Sequence, residues 1–113
     1  MVDSSTDTGS DKKAVLTIFE ALSSAPRLDI FRLLVVHEPE GLVAGEIARA
    51  LSLPATNLSF HLKALTHAGL LTVEQQGRFL RYRARVDQAK RVVDYLTENC
   101  CASHPEKCGP NPT

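Results

Sequence analysis

Three cysteines near the end of the chain are the residues whose type and spacing most favour chemistry. Cys100 and Cys101 are adjacent, Cys108 follows after six residues, and all three lie in the last fourteen of the 113 positions. Thiolate sulfur is a soft ligand, so thiols close in sequence can converge on one thiophilic ion rather than on magnesium or calcium. No other segment of the sequence offers a comparable ligand set. We therefore predict a metal site formed by Cys100, Cys101 and Cys108.

Two other interpretations of these thiols stay open. A bridge between Cys100 and Cys101 would be strained, because neighbouring Cα atoms lie about 3.8 Å apart and disulfides usually need about 4.4–6.8 Å. A bridge from Cys108 to either of them is sterically possible and would leave one thiol unpaired. A regulatory disulfide, or three cysteines without a common role, are the alternatives to a metal site.

Length and composition predict a single domain in the cytoplasm. Apolar residues make up 43% of the chain, which is enough for a compact core, and the chain starts with the polar and acidic residues 1–5. Such a start does not resemble a signal peptide, and no apolar run approaches the roughly 20 residues that a membrane span needs. We therefore expect no membrane partner and a reducing environment that keeps thiols free.

Hydrophobic periodicity predicts a mainly α-helical chain with one small β-hairpin. The polar residues 1–10 are expected to form a disordered tail, residues 11–99 a folded domain, and residues 100–113 a second tail. The first predicted helix covers about 12–23 and is capped by Asp11. The second is capped by Ser24 and ends at Pro39. The remaining predicted helices cover about 44–51, 55–67 and 87–99. The predicted strands are 71–74 and 79–83. The expected buried stripe is Leu28, Phe31, Leu34 and Val35 on the second helix, and Leu58, Leu62 and Leu65 on the fourth.

Two short helices separated by residues 52–54 and followed by a hairpin are the order of a winged helix-turn-helix. In that fold the second helix of the pair enters the major groove of DNA. Asn57 suits an adenine edge, Phe60 a thymine methyl group and Lys63 a phosphate. The candidate DNA-contacting residues of this helix are Ala55, Thr56, Asn57, Ser59, Phe60, His61 and Lys63.

The predicted hairpin adds a basic contribution to the same surface. Residues 55–91 hold seven basic and two acidic side chains, a net charge of +5 inside a chain whose formal net charge is zero. Such a segment is a candidate footprint for phosphate. The hairpin residues expected to contact DNA are Gln76, Gly77, Arg78 and Arg81. The alternatives are that Phe60 folds back onto a neighbouring element and that the arginines line a solvated strand face.

These segments resemble the ArsR family of metal-sensing winged-helix repressors. The resemblance rests on residues 22–30 (LSSAPRLDI), 57–65 (NLSFHLKAL), 68–71 (AGLL) and 76–82 (QGRFLRY), and extends over roughly 12–99. It implies a homodimer formed through the first and last helices, and a repressor that leaves double-stranded operator DNA when metal binds. A symmetric pair would also place two recognition helices on half-sites about one helical turn apart.

The chain departs from the two commonest metal sites of that family. Residues 42–46 contain no Cys-x-Cys pair, and the last helix carries Asp87, Asp94 and Glu98 with His104 as the nearest histidine. The tail cysteines instead resemble those of a subgroup that senses arsenite. Three thiolates saturate the pyramidal As(III) ion, and Sb(III) should behave similarly. Zinc with His104 as a fourth ligand, cadmium, or thiol oxidation are the alternative signals.

Further expectations concern the tail and the class of protein. Because ion binding at thiolates orders a backbone that is otherwise free, we predict a tail that folds and releases protons when the ion binds. No paired acid and base, phosphate-binding glycine loop or Ser/His/Asp set points to an enzyme. A winged helix that binds proteins instead of DNA is the alternative from a different class.

Overall fold

The computed structural model describes residues 6–98 and has five helices and three strands in that range. The elements are α1 (Thr6–Leu22), α2 (Ala25–Val36), β1 (Leu42–Val43), α3 (Ala44–Leu51), α4 (Ala55–His67), β2 (Leu71–Gln76), β3 (Phe79–Ala84) and α5 (Val86–Thr97). The predicted fold class, mainly α with a small hairpin in a winged helix-turn-helix, is confirmed. None of the helices within the described range is long and apolar enough to cross a membrane.

The first helix starts earlier than predicted. It begins at Thr6, so it extends into the segment 1–10 whose composition predicts a tail; residues 1–5 lie outside the described residues. The predicted Asp11 cap is wrong, because Asp11 lies inside the helix and its carboxylate accepts a hydrogen bond from Arg91 of α5 at 2.8 Å. The partner of Asp11 lies 80 residues away in sequence, so the residues around Asp11 do not indicate this contact.

The core lies where α1, α2, α3 and α4 meet the base of the hairpin. Its most deeply buried side chains are Ile18, Ile30, Leu34, Ile47, Leu62, Leu65 and Leu70. The stripe predicted for α2 is only partly correct, since Leu28 is 42% exposed and Val35 is 38% exposed. Apolar residues occur almost all around this helix, so the packing of its neighbours, rather than periodicity, decides which of them are buried.

The sheet contains a strand that the sequence did not predict. The strand order is β1-β3-β2, with both pairings antiparallel. β1 has two residues, too few for an alternating pattern, and it follows Gly41 at φ +73°. A Cβ at Gly41 would collide with the backbone carbonyl of Tyr82, so glycine permits the approach of β1 to β3.

The hairpin and the helical pair lie close to their predicted positions. β2 and β3 extend beyond the predicted strands, which leaves only Gly77 and Arg78 in the turn, with Gly77 at φ +65°. The predicted ranges of α3 and α4 are confirmed. A left-handed Ser52 at φ 54° ends α3, and the Glu46 carboxylate accepts a hydrogen bond from the Val43 amide at 3.0 Å at its start.

Candidate nucleic-acid interface

The α4 helix has one buried and one exposed face. Leu58, Leu62 and Leu65 are buried in the core, as their spacing predicts. Six of the seven predicted contact residues of this helix are exposed: Ala55, Thr56, Asn57, Ser59, Phe60 and Lys63. Pro54 precedes the helix without capping it by a side chain, so the first amides of α4 can donate to a phosphate alongside these side chains.

His61, the seventh predicted residue, lies in a different environment. It is half-buried, and its Nδ1 accepts a hydrogen bond from the Nε of Arg27 at 3.1 Å. Burial, and secondly the charge of Arg27, lower the pKa of His61 below its usual value. The imidazole is therefore neutral at pH 7 with its proton on Nε2. Nδ1 is occupied, and only the Nε2 side is left for a DNA contact.

Phe60 is exposed but has one partner within the protein. Its side chain remains 65% exposed, and the guanidinium carbon of Arg27 lies 5.4 Å from the ring centroid. The ring is also tilted by 59° against the His61 imidazole, with centroids 5.9 Å apart. Phe60 thus contacts Arg27 of α2 and still presents most of its surface outward. Nothing in the local pattern of the sequence links Arg27 to α4.

The hairpin tip is exposed, whereas Arg81, midway along β3, is held by hydrogen bonds within the protein. Gln76, Gly77 and Arg78 are all exposed, as expected for residues that approach a partner. Arg81 is half-buried, and its Nε donates to the Oε1 of Gln76 at 2.8 Å while its Nη1 donates to the Gly41 carbonyl at 3.2 Å. Arg81 therefore braces the hairpin against the chain before β1, and a DNA contact would require it to use its remaining donors.

The next arginine of β3 has a comparable bracing role. Arg83 pairs with Glu74 across the hairpin at 2.6 Å, and its Nε donates to the Pro39 carbonyl at 3.0 Å. The hydrogen bond from Arg83 lowers the pKa of Glu74. The alternative of a solvated arginine face describes the strand only in part, because Arg81 and Arg83 bind protein groups.

The outward face of α4 and the hairpin form one continuous surface. A groove of about 400 Å³ lies between them. Its lining residues are Ser59, Lys63, Thr66, His67, Val73, Leu80 and Tyr82. A helix beside a projecting hairpin can place its exposed residues in the major groove while the hairpin tip reaches the flanking backbone.

A second surface, on α1 and α5, is apolar. Leu16 is 55% exposed and Phe19 43% exposed on α1, and Val93 is 58% and Leu96 61% exposed on α5. Exposed apolar side chains at this density mark interaction sites with other proteins. Because α1 and α5 pack against each other, a single partner could cover both helices.

The predicted metal ligands lie outside the described residues. This applies to Cys100, Cys101 and Cys108, and also to His104, whereas the described chain ends at Glu98, two residues before the first cysteine. Within residues 6–98, no group of three or more histidine, cysteine or carboxylate side chains is arranged to hold a metal ion. The cysteine site therefore stays a prediction.

Comparison with known proteins extends these observations. Residues 18–74 match the family model of a helix-turn-helix domain. An uncharacterized HTH-type transcriptional regulator, YceK of Bacillus subtilis (strain 168), is 38% identical over 69 residues, which are 61% of this chain and 68% of that protein.

Solved structures give the same result at the level of the fold. An ArsR-like transcriptional regulator from Rhodococcus sp. RHA1 is 25% identical with a TM-score of 0.67, over 85% of this chain and 87% of that one. The homodimeric winged helix-turn-helix DNA-binding domain of a possible ArsR-family regulator from Mycobacterium bovis is 25% identical with a TM-score of 0.67, over 99% of this chain and 100% of that one. HlyU from Vibrio cholerae N16961 shares the fold at 23% identity and a TM-score of 0.62, over 80% of this chain and 95% of that one.

Proposed function

This chain belongs to the ArsR family of winged-helix transcriptional regulators, and from that premise we propose that it is a metalloid-responsive repressor. It binds operator DNA as a homodimer and leaves the DNA when As(III) or Sb(III) binds Cys100, Cys101 and Cys108. The observation that carries the DNA-binding part is the exposed face of α4, where Asn57 and Lys63 flank Phe60 on the side opposite the core.

DNA recognition combines base contacts from α4 with backbone contacts from the hairpin. The amide of Asn57 can pair with an adenine edge, and the ring of Phe60 can contact a thymine methyl group. Lys63 on α4 and Arg78 at the hairpin tip supply positive charge to the phosphates that flank those bases. Such charge contacts carry no sequence information, but they make affinity fall steeply with salt.

The apolar surface of α1 and α5 supports a homodimer. Leu16, Phe19, Val93 and Leu96 expose large side chains that a second copy would cover. The relative from Mycobacterium bovis is described as homodimeric, and a two-fold pair of this chain would present two copies of α4 to two half-sites.

The donor set of the tail fits a soft, three-coordinate ion. Three thiols match As(III), whose lone pair leaves a pyramid of three ligands, and each must lose its proton to bind. Cys100 follows the end of α5 at Thr97 by three residues. An ion that orders the tail beside α5 would act on the same helix that we assign to the dimer interface.

A change at that interface can disrupt DNA binding without touching α4. Two recognition helices must match the spacing of their half-sites, so a rotation of one subunit against the other lowers affinity for both. Moving a population from 99:1 in favour of the DNA-binding arrangement to 1:99 needs about 5.5 kcal/mol of differential ion binding.

The test uses DNA that the wild-type protein itself selects from a random duplex pool. We expect binding that weakens steeply with salt and is reversed by arsenite, and a variant with all three cysteines changed to serine that keeps DNA binding and loses the reversal. DNA binding without any arsenite effect, but with release by cadmium, zinc or peroxide, would replace the proposed signal. Affinity that is absent or independent of salt would instead support a protein-binding role.

A further inference from the structure

One arginine outside the recognition helix contacts two successive residues of that helix. Arg27 lies in the first turn of α2, 34 positions before His61 in sequence. Its Nε donates to the Nδ1 of His61 at 3.1 Å, and its guanidinium carbon lies 5.4 Å from the centroid of Phe60. A single side chain thus contacts both Phe60, on the exposed face of α4, and the half-buried His61 beside it.

The two contacts depend on each other through the planarity of the guanidinium group. The hydrogen bond to His61 fixes the direction of the Nε–H bond, and with it the plane that lies near the Phe60 ring. A phenylalanine that is 65% exposed would otherwise sample several rotamers. Holding the ring in one of them removes part of the ordering cost that DNA binding would have to meet.

We propose that Arg27 is a specificity-determining positioning residue, which holds Phe60 in place to contact the C5 methyl group of a thymine in the operator. This inference rests on the proposed function, because it requires α4 to enter the major groove. It assigns to α2 a part in sequence recognition that the contacts of α4 alone would not reveal.

Arg27→Lys would keep the positive charge at this position but remove the planar guanidinium group that makes both contacts. The lysine ammonium group lacks the planar guanidinium that donates to His61 while lying over the Phe60 ring. Arg27→Lys therefore separates orientation from electrostatics, since general attraction to phosphate is retained. Arg32→Lys is the matched control, because Arg32 is an exposed arginine of the same helix.

The experiment compares duplexes that differ only in thymine methyl groups. In a duplex selected by the wild-type protein, each thymine is replaced in turn by deoxyuridine, and dissociation constants are measured for wild type, Arg27→Lys, Phe60→Leu and the double variant. At one position per half-site, we expect the wild type to prefer thymine, and Arg27→Lys to reduce that preference by about two- to five-fold, the range of an exposed cation–π contact. Phe60→Leu should reduce it too, and the double variant should add nothing further.

Each outcome either supports or overturns the inference. Full thymine preference in Arg27→Lys, or in Phe60→Leu, overturns it, as does an equal loss in the Arg32→Lys control. Additive losses in the double variant also overturn it, because they mean that Arg27 acts independently of Phe60. Salt-dependent binding of the wild type to the selected duplex must be observed first; its absence would refute the proposed function itself and is distinguishable from all of these results. Phe60→Leu alters an exposed side chain, so full thymine preference in that variant still overturns the inference if Arg27→Lys fails to fold.

Discussion

Arg91 in the last described helix donates a hydrogen bond to Asp11 in the first helix, with 2.8 Å between Nη2 and Oδ1. This pair joins α5, the helix that precedes the cysteines, to α1, the other helix of the proposed dimer interface. It is thus placed to transmit a change at the end of α5 to the arrangement of the two subunits.

We expect Asp11→Asn to weaken the response to arsenite more than it weakens folding. The two side chains are 40% and 48% exposed, and exposed ion pairs typically contribute no more than about 1 kcal/mol to stability. The free energy of unfolding, measured by chemical denaturation, should therefore change little. The arsenite concentration needed for DNA release should rise. Asp94→Asn, an exposed carboxylate of α5, is the control. Equal behaviour of the two variants in the release assay would refute a coupling role for the pair.

The apolar surface of α1 and α5 predicts a dimer that polar substitutions dissociate. Phe19→Ser and Leu96→Ser should each raise the dimer dissociation constant while leaving the monomer folded, because both side chains are already exposed in the isolated chain. Sedimentation velocity measures the association, and circular dichroism measures the fold. Val36→Ser on α2 is the matched control, since Val36 is 76% exposed. If the control dissociates the dimer and the two variants do not, the interface lies elsewhere.

The state of His61 predicts a loss of stability in mild acid. Burial, and secondly the charge of Arg27, hold the pKa of His61 in the folded chain below its ordinary value of 6.5, so the unfolded chain takes up a proton at a higher pH than the folded chain does. The contribution of neutral His61 is complete above about pH 6.5 and is lost as the pH falls towards the folded pKa. Denaturation between pH 7.5 and 5 should show this decline in wild type. His61→Gln, whose amide oxygen can still accept from Arg27, should show a smaller decline, and an unchanged decline would contradict the assignment.

Two glycines of the hairpin region predict different costs for the same substitution. At the tip, a Cβ at Gly77 would meet no atom within 4 Å. Gly77→Ala should therefore lower the free energy of unfolding only by the penalty for a left-handed alanine, about 1–2 kcal/mol. Gly41→Ala has the same backbone problem and also a collision with the Tyr82 carbonyl. In thermal unfolding, the melting temperature of Gly41→Ala should therefore be clearly lower than that of Gly77→Ala. Equal melting temperatures would mean that β1 can move away from β3 at little cost.

The sequence predicted those parts of the fold that depend on local patterns. The ranges of α3 and α4 and the buried positions Leu58, Leu62 and Leu65 followed from helical spacing and from the break at residues 52–54. β1, with only two residues, and the early start of α1 carried no such pattern. The exposed side of α4 could be identified because it is the complement of a buried stripe.

The roles of individual polar groups were less predictable, because long-range contacts decide them. His61 and Arg81 were expected to contact DNA, yet the structure pairs them with Arg27 and with the Gly41 carbonyl, respectively. The role of Arg27 leaves no local signal, since a residue in the first turn of α2 gains its partners only when α2 packs against α4. Whether His61 and Arg81 also contact DNA stays a prediction.

The central claim is that the three cysteines bind an ion whose binding releases DNA. The most direct measurement is the amount of arsenic bound per protomer, taken during an arsenite titration of the protein on its selected duplex. We predict one As(III) per protomer at the point of full release, and loss of both binding and release in Cys100→Ser, Cys101→Ser and Cys108→Ser. Normal release by arsenite in all three variants would contradict the account.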